Sequence, residues 1–346
     1  MADAVKRAWE LLRNYESSDL VRSAFKVRHG GELSAGKARE ICAAVTQARN
    51  YMAATKDAAR DVRPLLIYYG VLSMCRGLVL FLSHTLRENG LSQALGLTVK
   101  GWGEELARET GDVARLTITL NANGTLAQLI EATGRASLLR NNSSKPNFTS
   151  ICDALPADSE VAFIDLLSRI PEARSQLTRW RVERNAVAIW PQGKQVDGAM
   201  HIQVDAPYAR EDVTAVLGDN VTFVSQQGGV LTYAVQTDFA LYCTDCAGPP
   251  WDIGTLVALR PMPGGLELSK LAMAFAASYA MGMLVRYYPS HWVSMLQNVK
   301  HDRALPTLLA VLEHIEHDVP RMVAEFLERP STPLEGGRPS KASDFP

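Results

Sequence analysis

The sequence predicts a mainly α-helical bundle interrupted by an inserted α+β segment, and three observations carry that expectation. Two stretches, 63–84 and 268–285, are apolar on nearly every face, which marks helices buried on all sides. They stand far apart in the chain, and their apolar surface has no adequate place to go except against each other. Between them the composition changes: Gly, Asn and polar residues become common after His84, and the apolar period shortens. The bundle is therefore assigned to 1–90 and 263–328, and the inserted α+β region to 91–262. The stretch 329–346, rich in Pro, Gly, Ser and Lys, is expected to be a disordered tail.

In order along the chain, residues 3–14 read as a short helix with Val5, Trp9 and Leu12 on one face. A looser segment runs to His29, and Ser34 is placed to cap a long helix from Ala35 to about Ala59. Pro64 sits at a tolerated first-turn position of the first buried helix. Leu116–Leu120 and Thr125–Leu129, separated by Asn-Ala-Asn-Gly, read as a β-hairpin. Residues 158–180 return to helix in two pieces broken at Pro171. Strands follow at 201–204, 221–224, 231–235 and 255–259, the middle two joined across Gln-Gln-Gly-Gly. The second buried helix closes on Arg286; Pro289 forces a break, with Ser290 positioned to cap the next helix near His291. Residues 306–327 form the last amphipathic helix.

Composition narrows the function. With 36 Lys and Arg against 37 Asp and Glu, the chain is no globally basic nucleic-acid binder, so RNA would need a local patch. Five Cys residues and no secretory leader fit a soluble, cytoplasmic protein better than a disulfide framework. The second apolar stretch is a poor membrane span, since Glu267, Lys270 and Arg286 bound too short a run.

Four patterns bear on chemistry. Gly31-x4-Gly36-Lys37-Ala38 nearly matches a phosphate-binding loop, but Ala38 has no hydroxyl for magnesium and no buried strand precedes it, so a glycine turn into a helix is preferred. Cys243-Thr-Asp-Cys246 offers two of the four ligands that structural zinc needs, and His201 and Cys152 could complete it only through folding contacts; no metal or cofactor is expected. Arg179, Trp180, Arg181 and Arg184 form a basic cluster with one aromatic, suited to hold phosphates and stack a base, or else to be a solvated helix face. Arg286-x4-His291 is the most informative pair. Its spacing alone is weak, because Arg22-x6-His29 is a second match, but Arg286 closes a buried helix, where a charge needs a partner or a purpose. The competing reading pairs Arg286 with a carboxylate such as Glu10, Glu40 or Asp61.

Three segments carry a resemblance to a known family: RPLLIYYG at 63–70, FIDLLSRIP at 163–171, and 268–292 ending GMLVRYYPSHW. On these the chain resembles the YaaC-like proteins over most of residues 5–325. The Tyr68-Tyr69 helix, the Ala-rich helix before it and the Arg286/His291 joint also resemble the HEPN helical bundles of bacterial toxins, antiphage effectors and CRISPR-associated nucleases. That resemblance implies a HEPN-like bundle acting as a metal-independent endoribonuclease, a homodimer whose site takes one pair from each subunit. It implies that His291 activates the ribose 2′-hydroxyl and that Arg286 stabilises the phosphate. Here Tyr287 follows the Arg where the family often has a polar residue, and Pro289 lies inside the motif. The alternative is a catalytically silent dimeric adaptor or sensor in a defence or stress system, its insertion binding a protein partner; no membrane is involved in either.

Overall fold

The computed structural model describes residues 2–108, 112–143, 145–179, 185–196, 199–205, 208, 210–236, 241–246, 254–300 and 302–329. The chain begins with helices α1 (Ala2–Asn14), α2 (Ser18–His29), α3 (Ala35–Ala54) and α4 (Arg63–Leu82), then β1 (Leu97–Lys100), α5 (Trp102–Ala107), β2 (Thr117–Leu120) and α6 (Thr125–Ala132). Next come β3 (Ala136–Leu139), β4 (Phe148–Ile151), β5 (Ser159–Ala162), α7 (Phe163–Leu167), α8 (Arg174–Arg179), β6 (Ala186–Val196) and β7 (Ala199–Asp205). They are followed by α9 (Arg210–Leu217), β8 (Val221–Gln227), β9 (Val230–Val235), β10 (Cys243–Cys246) and β11 (Thr255–Leu259). Helices α10 (Lys270–Tyr287), α11 (Pro289–Leu296) and α12 (Leu305–Glu328) close the described chain. The protein is thus mainly α with antiparallel sheets. Over the described residues it divides into one unit of 2–135, 154–167 and the residues from 271 on, and another of 136–153 and 168–270.

The first unit is built on α4. Its glycines let α3 approach antiparallel to it: a Cβ on Gly77 would lie 3.3 Å from the Ala44 Cβ, and one on Gly70 would lie 3.0 Å from Met52. On α10, Gly282 receives Tyr68 of α4, so that an added Cβ would meet the Tyr68 Cβ at 2.9 Å. The two apolar helices therefore pack directly on each other. α4 is long and apolar enough to span a membrane, but two-thirds of that stretch (67%) is buried inside the protein, as a core helix is. Helix α12 lies along α1 and α4, and its Glu316 accepts from Thr55 and Arg63 at the turn between α3 and α4. Ser34 caps α3, its hydroxyl accepting from the Lys37 N–H at 3.3 Å.

Three segments depart from the sequence reading, one of them residues 159–162, expected in a helix and found as strand β5 because they pair with the edge of β2. The stretch before His29 is not loose but helical as α2, because Val21 and Phe25, one turn apart, bury one face of it. Residues 116–129 are not a hairpin. β2 pairs instead with β1 and β5 in a three-stranded antiparallel sheet, and Thr125–Ala132 is helix α6. Leu126, Leu129 and Ile130 fall on one buried helical face, a 3.6-residue period that alternation over five residues had masked. The Asn-Ala-Asn-Gly run serves the entry to α6: Gly124 has φ 129°, a conformation L side chains rarely adopt, and an added Cβ would overlap the Gly96 backbone.

The second unit centres on a six-stranded antiparallel sheet in the order β10-β11-β6-β7-β9-β8. Val187, Ile189, Ile202, Val204, Leu231 and Leu256 point from it into one core closed by Val213 of α9 and Leu139 of β3. Gly228 (φ 56°) and Gly229 (φ 85°) form the β8–β9 turn, the two positive-φ positions that a tight hairpin demands. All four expected strands of this region are present in it. The expected disordered tail falls, from residue 330 on, outside the described residues.

Candidate functional site

The site is built where the first unit's central helix leaves the core. From Leu271 to Val285 every residue of α10 is buried, and no charge falls in that run. Arg286, in the last turn, is the first residue exposed to solvent, and its charge there also complements the helix dipole. The expectation of a charge at a buried helix end is corrected accordingly: burial stops one residue short of the guanidinium. Arg286 makes no ion pair among the described residues; Glu40 is bound by Arg87 at 2.5 Å and Glu10 faces Lys6 at 4.0 Å.

The break after Arg286 follows from Pro289. Its ring pushes Tyr288 out of the helical region, to φ −132° and ψ 49°, and it occupies the first position of α11, where its missing N–H is no loss. Tyr288, not Ser290, is therefore the N-cap, without a side-chain cap bond. His291 follows in the first turn, half-buried, its backbone N–H donating to the Tyr288 carbonyl at 3.1 Å. Helix α11 is held by the next residue, since the Trp292 indole donates to the Arg60 carbonyl at 3.1 Å. Arg286 and His291 are thus fixed on two successive helices, either side of a joint made by Tyr288 alone.

Aromatic rings crowd this joint. Trp102 stacks on Tyr288 with centroids 4.7 Å apart, and the Tyr288 and His291 rings stand at 6.3 Å. Tyr68 meets Tyr279 edge-on at 5.8 Å and Tyr69 at 5.1 Å, while Tyr69 stacks on Tyr51 at 5.5 Å. The Arg286 guanidinium lies 5.1 Å from the centre of the 60% exposed Tyr287 ring. Burial pushes the Tyr68 phenol well above its ordinary value; neighbouring tyrosines add to the rise and Arg286 opposes it. Tyr279 is raised in the same way, while its hydroxyl donates to the Leu97 carbonyl at 3.0 Å. An exposed guanidinium among half-exposed ring faces can hold a phosphate and stack bases. The doublets Tyr68-Tyr69 and Tyr287-Tyr288 are the sequence signal for this cluster; Trp102, from a distant segment, has none.

The other sequence candidates resolve differently. Of the basic cluster, Arg179 ends α8, with its side chain not described, and Trp180, Arg181 and Arg184 lie outside the described residues. Lys37 is buried, its ammonium donating to the Ser83 carbonyl at 2.5 Å, so the phosphate-loop look-alike is a capped helix start. Cys243 and Cys246 stand on β10, where an odd spacing sends their side chains to opposite faces of the strand. Both are buried, neither forms a disulfide, and burial raises the Cys243 thiol far above its ordinary value.

Sequence reasoning missed a buried ion cluster in the second unit. The Lys270 ammonium donates to the Asp245 carbonyl at 2.7 Å and to Glu172 at 3.0 Å, and lies 3.5 Å from the Asp245 carboxylate. Arg140 approaches the other Asp245 oxygen at 3.5 Å. These four side chains come from four separate segments between residues 140 and 270, so no local pattern announces them.

The chain belongs to the YaaC-like protein family, whose model matches residues 10–327. No curated protein and no solved structure matches it.

Proposed function

We propose that the chain is a metal-independent endoribonuclease in which Arg286 and His291 act on the RNA backbone, as the HEPN resemblance implies. The observation that supports this reading is the state of Arg286: solvent-exposed, in no ion pair among the described residues, and ringed by tyrosines. A structural arginine closing an apolar helix would be spent on a carboxylate. His291 takes the proton of a ribose 2′-hydroxyl, and the freed oxygen attacks the adjacent phosphorus. The bond to the 5′ oxygen breaks, and that oxygen leaves with a proton. The planar fork of Arg286 holds two non-bridging oxygens as their charge grows, which an ammonium does less well. The chemistry asks for no metal. The exposed and half-exposed faces of Tyr51, Tyr69 and Tyr287 offer stacking for flanking bases.

In this reading two chains pair so that each contributes one Arg286 and one His291, the second imidazole protonating the leaving oxygen. The biological setting is a toxin or antiphage-defence system, with a partner or trigger that restrains the enzyme. The test is incubation of the purified protein with total RNA in EDTA, followed by mapping of the ends. Cleavage leaving 2′,3′-cyclic phosphate and 5′-hydroxyl ends supports the proposal. Ends bearing 5′-phosphate, or cleavage that appears only when magnesium is restored, would end it.

A further inference from the structure

A second site lies in the first unit, away from the residues used above. Helices α1, α3 and α12 leave between them an open cavity of about 500 Å³, within the size range of small-molecule sites. The face of α1 that the sequence reads as one apolar stripe is split in two. Ala8 and Leu12 go into the core, whereas Val5, Trp9 and Arg13, each four residues on, line the cavity. Trp9 is half-exposed there, and its indole N–H makes no hydrogen bond among the described residues. Buried Met52 of α3 forms part of the floor.

The charges around the rim sort into spent and unspent. Arg49 is held by both oxygens of Glu16, at 2.6 and 3.0 Å, and Glu316 is held by Thr55 and Arg63. Lys6 faces Glu10 at 4.0 Å. Arg13 and Lys56 remain, both exposed and in no ion pair among the described residues. His317 lines the same wall; its Nδ1 lies 2.7 Å from the Glu313 carbonyl, a distance that requires an N–H there and leaves Nε2 as the acceptor of the neutral ring. The cavity therefore presents an aromatic face, a sulfur-bearing apolar floor, two uncompensated cations and a hydrogen-bond acceptor.

We propose that this cavity binds a free nucleotide, its base against Trp9 and Met52 and its phosphate between Arg13 and Lys56. A planar ring and a compact anion joined in one small molecule is the chemistry that satisfies both halves of the wall. The proposal does not use Arg286 or His291, so it stands or falls apart from the ribonuclease reading.

Titration calorimetry of the full chain with AMP, GMP and ATP tests it, with adenosine and inorganic pyrophosphate as the separate halves. Saturable nucleotide binding is expected, with adenosine and pyrophosphate each weaker by about tenfold or more. Trp9→Leu and the double change Arg13→Ala, Lys56→Ala should each weaken AMP by about tenfold. Lys56→Glu, on the exposed rim, gives the same direction without touching the packing should Trp9→Leu unfold. Absence of saturable heat from all three nucleotides at about 1 mM overturns the proposal. So does nucleotide binding that survives Lys56→Glu and Trp9→Leu but is lost on Lys37→Met, which would return it to the loop at 31–38.

Discussion

The first unit contains two arginine–histidine pairs of nearly the same spacing, and they have opposite fates. Within α2, Arg22 donates to the Leu33 carbonyl at 3.2 Å, and His29, the last residue of the helix, is locked between two partners. Its Nε2 lies 3.0 Å from the Phe81 carbonyl, so that nitrogen carries the hydrogen; Nδ1 then accepts from the Nε2 of His84 at 2.9 Å. At the end of α10, Arg286 meets no carbonyl and no carboxylate among the described residues and is exposed to solvent. The first arginine is consumed by the fold, and the second, in no ion pair among the described residues, is left for a ligand. Spacing brings an arginine and a histidine close along the chain in each case. What differs is whether neighbouring backbone has a use for them.

The comparison breaks most sharply on His291. Its replacement by Ala should lower RNA cleavage by about 10²- to 10⁴-fold while the protein stays folded, since the Trp292 indole still ties α11 to the Arg60 carbonyl. Loss of folding in that variant would place His291 with His29, among the structural histidines. Arg286→Lys should still cost about 10²-fold, because the charge survives and the fork does not; a mild effect would reduce Arg286 to a general electrostatic role.

The helix that carries Arg286 offers a third test. Gly282→Ala puts a Cβ at 2.9 Å from the Tyr68 Cβ, and α4 and α10 must separate to admit it. A loss of about 1–3 kcal/mol in denaturant unfolding is expected, and an unchanged midpoint would show that the contact is looser than drawn. The smallest effect belongs to the structural pair. Burial, helped by His84, Arg28 and Lys37, lowers the His29 pKa from 6.5 to about 4 against the opposing pull of the Phe81 carbonyl. Between those values the unfolded chain binds a proton that the folded one does not, so stability falls as pH drops from 6.5 towards 4 and levels below it. His29→Gln should flatten that part of the melting-temperature profile; a profile identical to wild type would remove His29 from the stability balance.

The sequence sufficed wherever a residue's fate is set by its neighbours along the chain. The apolar runs of α4 and α10 read as buried helices, Ser34 as a cap, and β7, β8, β9 and β11 as strands from their own residues and the glycine turn between β8 and β9. The tertiary structure decided everything that depends on what arrives from elsewhere. Residues 125–132 are ambiguous over five positions, and they become α6 because β1 and β5 take both edges of β2. Lys37 resembles a phosphate-loop lysine until the Ser83 carbonyl, forty-six residues on, claims its ammonium. Asp245 and Lys270 are two ordinary charges in the chain and half of a buried cluster in the fold. Arg286 escapes such capture because burial along α10 ends at Val285, one residue before the guanidinium. A charge's partner is a property of three-dimensional proximity, and hydrophobic periodicity, which is local, carries no record of it.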